Sequence, residues 1–390
     1  MSTAQLAREV VSDKAAAKIA ERLANLHFYT TRELATVVDP NPDWIWHGYL
    51  ARGCMTELDG QVKLAGKTTL AFHLIRAIIS NEEFLSRSTT KTNVLYLTEQ
   101  QREPFLFQAH QAGLADRGDE LKLLFRGDFT GIPWADLIAR VAEKCVEFDA
   151  GLLVVDTIAK LAGIRNENDA GEWMLANEPL QDAIHKHHLA VLALRHDRKG
   201  GGTVTESGRG SSQGSGDPDV ITRLSRPEGN TPTSRRILET EGRYSHLTPH
   251  KLIIELDQES RTYKSLGTQS SVALAEGTRY IREQWDLWIA QQELEDGATP
   301  DPLPRRVLID NGTSHNPPID DHAIDNAIKD LERNGTLVRH QLRGRGKPIA
   351  ISLLSHPLGA ELGTKDRTPT NGQLAQSREE LIATLWKPSE

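Results

Sequence analysis

GQVKLAGKTTLAFHLIRAI, from Gly60 to Ile78, sets a glycine-bounded loop directly before an apolar helical pattern, with the triplet Gly66-Lys67-Thr68 at the junction. Such a junction suits the phosphates of a nucleotide. Backbone N–H groups of the loop and the positive end of the helix surround the anion, a lysine reaches the β and γ oxygens, and a hydroxyl is a ligand for Mg²⁺. Gly60, Gln61, Val62, Lys63, Leu64, Ala65, Gly66, Lys67, Thr68 and Thr69 are therefore expected to cradle the phosphates of ATP, with Thr68 on the metal. Five residues separate Gly60 from Gly66 where four are usual, so Gln61 stands at the first-glycine position. The order of elements supports the reading. CMTELD before the loop is strand-like, and Leu70, Leu74, Ala77 and Ile78 after it share one helical face.

Working outward, the 390 residues are 38% hydrophobic and 26% charged, a soluble globular profile with room for two domains. No run approaches the roughly 20 apolar residues of a membrane span, and the N-terminus lacks a signal-peptide layout. A cytoplasmic protein with no membrane partner is expected. Cys54 and Cys145 have no metal or redox spacing and read as reduced, packed side chains. The net charge of −8 excludes a wholly basic nucleic-acid coat but leaves room for a local basic surface.

Residues 5–26 place Leu6, Val10, Ile19, Leu23 and Leu26 among charges, the pattern of an amphipathic helix, within an N-terminal segment over 1–40. From 41 to 268 helical and strand-like segments alternate. CMTELD, NVLYLTEQ, LKLLFRG, GLLVVDT and LAVLALRHD are strand candidates separated by helices such as PWADLIARVAEKCVEF, which predicts a mainly parallel sheet covered on both faces. ITRL, RRILE, KLIIELD and RTYKSL then read as an antiparallel extension of that sheet. Between Arg198 and Asp219 the chain is dominated by glycine and serine, as in a long loop at the sheet's active edge. A boundary is expected near 267–271. Over 272–355 a long helix, a Pro-rich break, a second helix and two strands predict a winged-helix-like domain, and 356–390 is a tail with a short helix.

Ligands of open parallel sheets sit beyond the carboxyl ends of the strands, where Glu99, Asp156 and His196 close three strand candidates. Asp156, after four apolar residues, is expected beside the Mg²⁺ held by Thr68. Glu99 is the expected general base toward water, and His196 a γ-phosphate sensor. Each also has a plain reading as a polar side chain where a strand re-enters solvent. His185, His187 and His188 have no carboxylate or cysteine spaced to complete a metal site and suit a helix C-terminus. Trp285 and Trp288, one helical turn apart, read as core.

The run DWIWHGYLARGCMTELDGQVKLAGKTTLAFHL, followed by VLYLTEQ, LLVVDT, LRHDRKGGG and GRGSSQGSGDPDVITRLSRP, resembles the RecA-like ATPases of the RepA plasmid-helicase and KaiC group, over roughly residues 41 to 266. The resemblance implies a RecA-like three-layer core, assembly into rings such as the hexamer of a hexameric helicase, and ATP between subunits. It matches Lys67 and Thr68 to the phosphate-loop pair, Glu99 to the catalytic glutamate, Asp156 to the metal-site aspartate and His196 to the sensor-strand histidine. Arg223 matches the arginine that reaches a neighbour's γ-phosphate, with Lys199 and Arg209 as rivals. The stretch from Ser207 resembles a loop facing a central DNA channel.

Single-stranded DNA is an expected partner through the loop 198–219 and the wing 339–347, where Arg339, Arg343, Arg345 and Lys347 have no acid among them. The helix from Asp320 to Asn334 is acidic and a poor major-groove reader, so docking of a protein is an equal alternative for the C-terminal domain. Two activities follow. One is an ATP-driven ring motor on DNA in replication or recombination, and the other is an ATP-controlled binding switch without helicase activity. A degenerate, purely structural site is the third reading.

Overall fold

The computed structural model describes residues 17, 19–21, 23–60, 66–115, 117, 119–196, 218–227, 232–248, 250–257, 259–260, 262–292, 298–342 and 348–354. The expectations placed on Gln61, Val62, Lys63, Leu64, Ala65, Lys199, Arg209, Arg343, Arg345, Lys347 and the tail helix lie outside the described residues. Two compact units divide the chain, Met1–Trp44 and Ile45–Glu390.

In the first unit, helix α1 (Thr31–Val37) starts in a capping box. The Thr30 hydroxyl accepts from the Glu33 N–H at 3.2 Å, and the Glu33 carboxylate accepts from the Thr30 N–H at 2.7 Å. Leu34 and Val37 of this helix are exposed, as are Ile19, Leu23 and Leu26 before it.

The second unit begins inside a short ribbon, β1 (Trp44–Trp46) and β2 (Leu50–Ala51). Every strand segment expected between 41 and 268 then enters one sheet: β3 (Met55–Gly60), β4 (Asn93–Thr98), β5 (Leu121–Phe125), β6 (Ala150–Asp156), β7 (Ala190–His196), β8 (Val220–Ser225), β9 (Arg235–Gly242), β10 (Lys251–Leu256) and β11 (Tyr263–Gly267). Their order is β11-β10-β9-β8-β3-β7-β6-β4-β5, parallel from β8 to β5 and antiparallel from β8 to β11.

Among the described residues, five helices connect the parallel strands: α2 (Lys67–Ser80), α3 (Arg102–Gln111), α4 (Trp134–Glu147), α5 (Ile158–Leu161) and α6 (Ala170–His187). Strand alternation sorts the side chains into two cores. Leu152 and Val154 of β6 pack with Leu70 and Phe72 of α2 and Phe105 of α3, whereas Leu153 and Val155 pack with Ile138 and Val141 of α4 and Trp173 of α6. Burial on both faces explains why GLLVVDT is continuously apolar. The three-layer α/β core expected from the sequence is present.

At the C-terminal side a helix follows β11 directly. Gly267 ends that strand at φ +95°, Thr268 caps the next turn by accepting from the Ser271 N–H at 3.2 Å, and α7 (Gln269–Ala290) begins at once. The Pro-rich stretch adds two elements to those expected. It contains β12 (Leu303–Pro304) and α8 (Arg305–Ser314), a helix that buries only Leu308 and Gly312 and so shows little apolar period. α9 (Asp321–Arg333), β13 (Leu337–Gln341) and β14 (Ile349–Leu353) follow, with the strands in the antiparallel order β12-β14-β13. Trp285 is buried among Tyr280, Ile281 and Ile324, with Trp288 packed against the cluster.

Candidate active site

The carboxyl ends of β3, β4, β6 and β7 meet the N-terminus of α2. Gly60 is the last residue of β3, not a residue of the loop beyond it, because it pairs in register with His196 and Leu224 of the neighbouring strands. Gly66 precedes α2 at φ +84°, a left-handed conformation that favours glycine, and no side chain caps the helix there. The N–H groups of the first turn are left for an anion.

Lys67 is buried at 6% exposure. Its ammonium donates to the Gly60 carbonyl at 2.5 Å and lies 3.2 Å from His196 Nδ1. Burial first, then the charges of Lys67 and Lys160, push the His196 imidazole down to about 4, so it is neutral near pH 7.

Behind this pair lies a set of hard oxygen donors. Thr68 Oγ1 donates to Asp156 Oδ2 at 3.0 Å, and the wholly buried Tyr96 hydroxyl donates to the same oxygen at 2.7 Å. Burial pushes the Asp156 carboxyl up, opposed by those two hydrogen bonds and by Lys67. A hydroxyl and a carboxylate this close are the donor chemistry that Mg²⁺ selects, and a buried ammonium beside them suits phosphate, so the residues fit the metal and the nucleotide. Gln100 Nε2 is 3.5 Å from Thr68 Oγ1, and its buried Oε1 has no hydrogen-bond partner among the described residues.

Glu99 follows β4 directly, its N–H donating to the Asp156 carbonyl at 3.0 Å. Burial raises its carboxyl, Lys160 lowers it, Asp156 raises it and Arg126 lowers it. The net direction is upward. The Lys160 ammonium on α5 stands 4.0 Å from Glu99 Oε2.

Arg223 does not join this group. On β8 it is opposite Asp59 of β3 and Glu239 of β9, and it is 7% exposed. His185 and His187 lie in the last turn of α6 with His188 at its cap, and the described residues contain no group of three metal-binding side chains.

Lys67, Thr68, Asp156, Glu99 and His196 are thus brought together, while Tyr96, Gln100 and Lys160 join them without having been singled out. One signal for Tyr96 existed. A hydroxyl inside a strand buried on both faces needs a polar partner, and a carboxylate on an adjacent strand supplies it.

Residues 20–202 match the family model of an AAA domain. No curated protein is matched by the sequence. Among solved structures, a KaiC-like protein from the hyperthermophilic archaeon Pyrococcus horikoshii OT3 is similar at 12% identity, with 55% of this chain and 90% of that one covered and a TM-score of 0.41. The RadB recombinase is similar at 18% identity, with 55% of this chain and 91% of that one covered and a TM-score of 0.38. Among the described residues, no helix is long and apolar enough to cross a membrane.

Proposed function

We propose that this chain is a Mg²⁺-dependent ATPase whose turnover is tied to DNA binding. The observation that carries the reading is the convergence of the buried Lys67 with the Thr68 and Asp156 oxygens, 3.0 Å apart, at an uncapped helix N-terminus. The AAA-domain match over 20–202 supports it. Thr68 and Asp156 hold the metal, which when bound neutralises charge on the β and γ oxygens. Lys67 exchanges Gly60 and His196 for phosphate oxygens. Glu99, whose pKa burial raises, orients the attacking water and takes its proton. The neutral His196 keeps an N–H to offer the terminal phosphate.

The same reading extends to a homo-oligomeric ring in which a neighbour supplies a cation. Because Arg223 is buried in its own sheet, that role falls to Lys199 or Arg209 of the glycine-rich stretch. The stretch 198–219 and the wing 339–347 are the surfaces assigned to single-stranded DNA, and the element order of the C-terminal part supports a winged-helix-like domain.

A second reading, an ATP-controlled binding switch, is favoured by the charges of that domain. Arg339 pairs with Glu332 at 2.9 Å and Arg305 forks onto Asp325 at 2.7 and 2.8 Å, so these cations are already neutralised internally. Steady-state ATP hydrolysis with and without single-stranded DNA, with Lys67→Ala as the blank, separates the readings. Many-fold stimulation lost in the variant supports the motor, and unstimulated turnover supports the switch. Hydrolysis equal in Lys67→Ala and the parent overturns the site.

A further inference from the structure

We propose that Lys160 is a triphosphate-selecting residue, which leaves Glu99 to contact the terminal phosphate when ATP is bound and stays on Glu99 when ADP is bound. The inference rests on the nucleotide reading of the site and deepens it.

Helix α5 is a single turn that starts two residues after Asp156. Ile158, Ala159 and Leu161 are buried in the core, so the turn is held in place, and Lys160 is the residue of that turn that faces out. Its side chain is 60% exposed. A fixed backbone with an exposed, long-stemmed cation is the arrangement of a side chain that can change partners.

The partner it has now is weakly held. At 4.0 Å from Glu99 Oε2 the ammonium is within Coulomb reach of the carboxylate but too far for a hydrogen bond. That oxygen is buried and accepts no hydrogen bond among the described residues. The ammonium end of the pair is solvated and the contact is long, so the lysine gives up little in leaving it. The same ammonium acts electrostatically on His196, at the end of β7, while Glu99 follows β4, and β6 with Asp156 lies between those two strands. Lys160 therefore stands on the turn that follows the metal-site aspartate, at the edge of the group that Glu99, Asp156 and His196 form.

A terminal phosphate brings more than one negative charge to that group and accepts charge-assisted hydrogen bonds that the distant carboxylate does not make. A diphosphate lacks the group. The exchange also ties the freeing of Glu99 to the presence of the phosphate that water must attack.

The test is equilibrium binding of a fluorescent non-hydrolysable ATP analogue and of the matching ADP analogue, each with Mg²⁺, to the full chain. Lys160→Met is expected to lose about tenfold in triphosphate affinity with diphosphate affinity unchanged, and Lys160→Arg to stay within about twofold of the parent. Glu99→Gln, which removes the resting partner, is expected to bind the triphosphate a few-fold more tightly, a gain absent from Glu99→Gln with Lys160→Met. An unchanged ratio of triphosphate to diphosphate affinity in Lys160→Met overturns the role of Lys160 alone. A parent protein that binds neither analogue overturns the nucleotide site, and this inference with it.

Discussion

The Lys67 ammonium lies 3.2 Å from Nδ1 of His196. An ammonium only donates, so Nδ1 accepts and the ring carries its proton on Nε2. Lys67 and the strand-end histidine are thus one hydrogen-bonded unit, and any ligand that draws Lys67 away changes what His196 can do.

This pairing has a pH signature. His196 is expected to titrate near 4 in the folded protein, against an ordinary value of 6.5. Between those values the unfolded chain binds more protons, so the group's contribution to stability is present above about pH 6.5 and is lost as pH falls toward 4. Lys67→Met should raise the value without restoring 6.5, because burial is the larger cause. NMR titration of the imidazole reads both, and a parent value near 6.5 would contradict the geometry.

Tyr96 anchors Asp156 from within the sheet. Replacing it with Phe leaves a buried carboxylate oxygen with one donor in place of two. A loss of about 2 kcal/mol is expected in urea unfolding, as for a hydrogen bond to a charged acceptor. A change under about 0.5 kcal/mol would mean that water replaces the phenol at no cost.

A row of alternating charge crosses five strands at one level: Arg195 on β7, Asp59 on β3, Arg223 on β8, Glu239 on β9 and Lys251 on β10, each in register with the next. Lys251 meets Glu239 at 3.1 Å, and Arg195 also pairs with Glu57 at 2.8 Å. Arg223→Met should destabilise by about 3 kcal/mol, because it uncovers buried acid. Combined with Asp59→Asn the loss should be less than the sum of the two single losses. Strict additivity in a double-mutant cycle would dissolve the row.

Gly277 of α7 is a contact point with α9. A Cβ there would meet the Ala323 carbonyl oxygen at 2.5 Å and Ala327 Cβ at 3.1 Å. Gly277→Ala improves helix propensity by about 1 kcal/mol, yet a net loss of about 2 kcal/mol is expected because the two helices must part. Thermal unfolding of the full chain measures it, and a stabilised variant would show that the helices yield freely.

Period and punctuation in the sequence determined the strands, their alternation with helices and the residues at the strand ends. Lys67, Thr68, Glu99, Asp156 and His196 could be named because each sits where a local pattern stops, and such patterns depend only on neighbours along the chain. Helix α8 escaped because a helix that buries two residues leaves almost no period. What only the tertiary structure decided depends on pairing across the sheet. Tyr96 reaches Asp156 because β4 lies beside β6, and Lys160 stands 4.0 Å from Glu99 because β6, which leads into α5, ends beside β4. Arg223 was expected to face a neighbour, but register sets it opposite Asp59 and Glu239 inside its own sheet. Register and strand order come from long-range burial of two apolar faces, a cooperative property that no local stretch of residues contains.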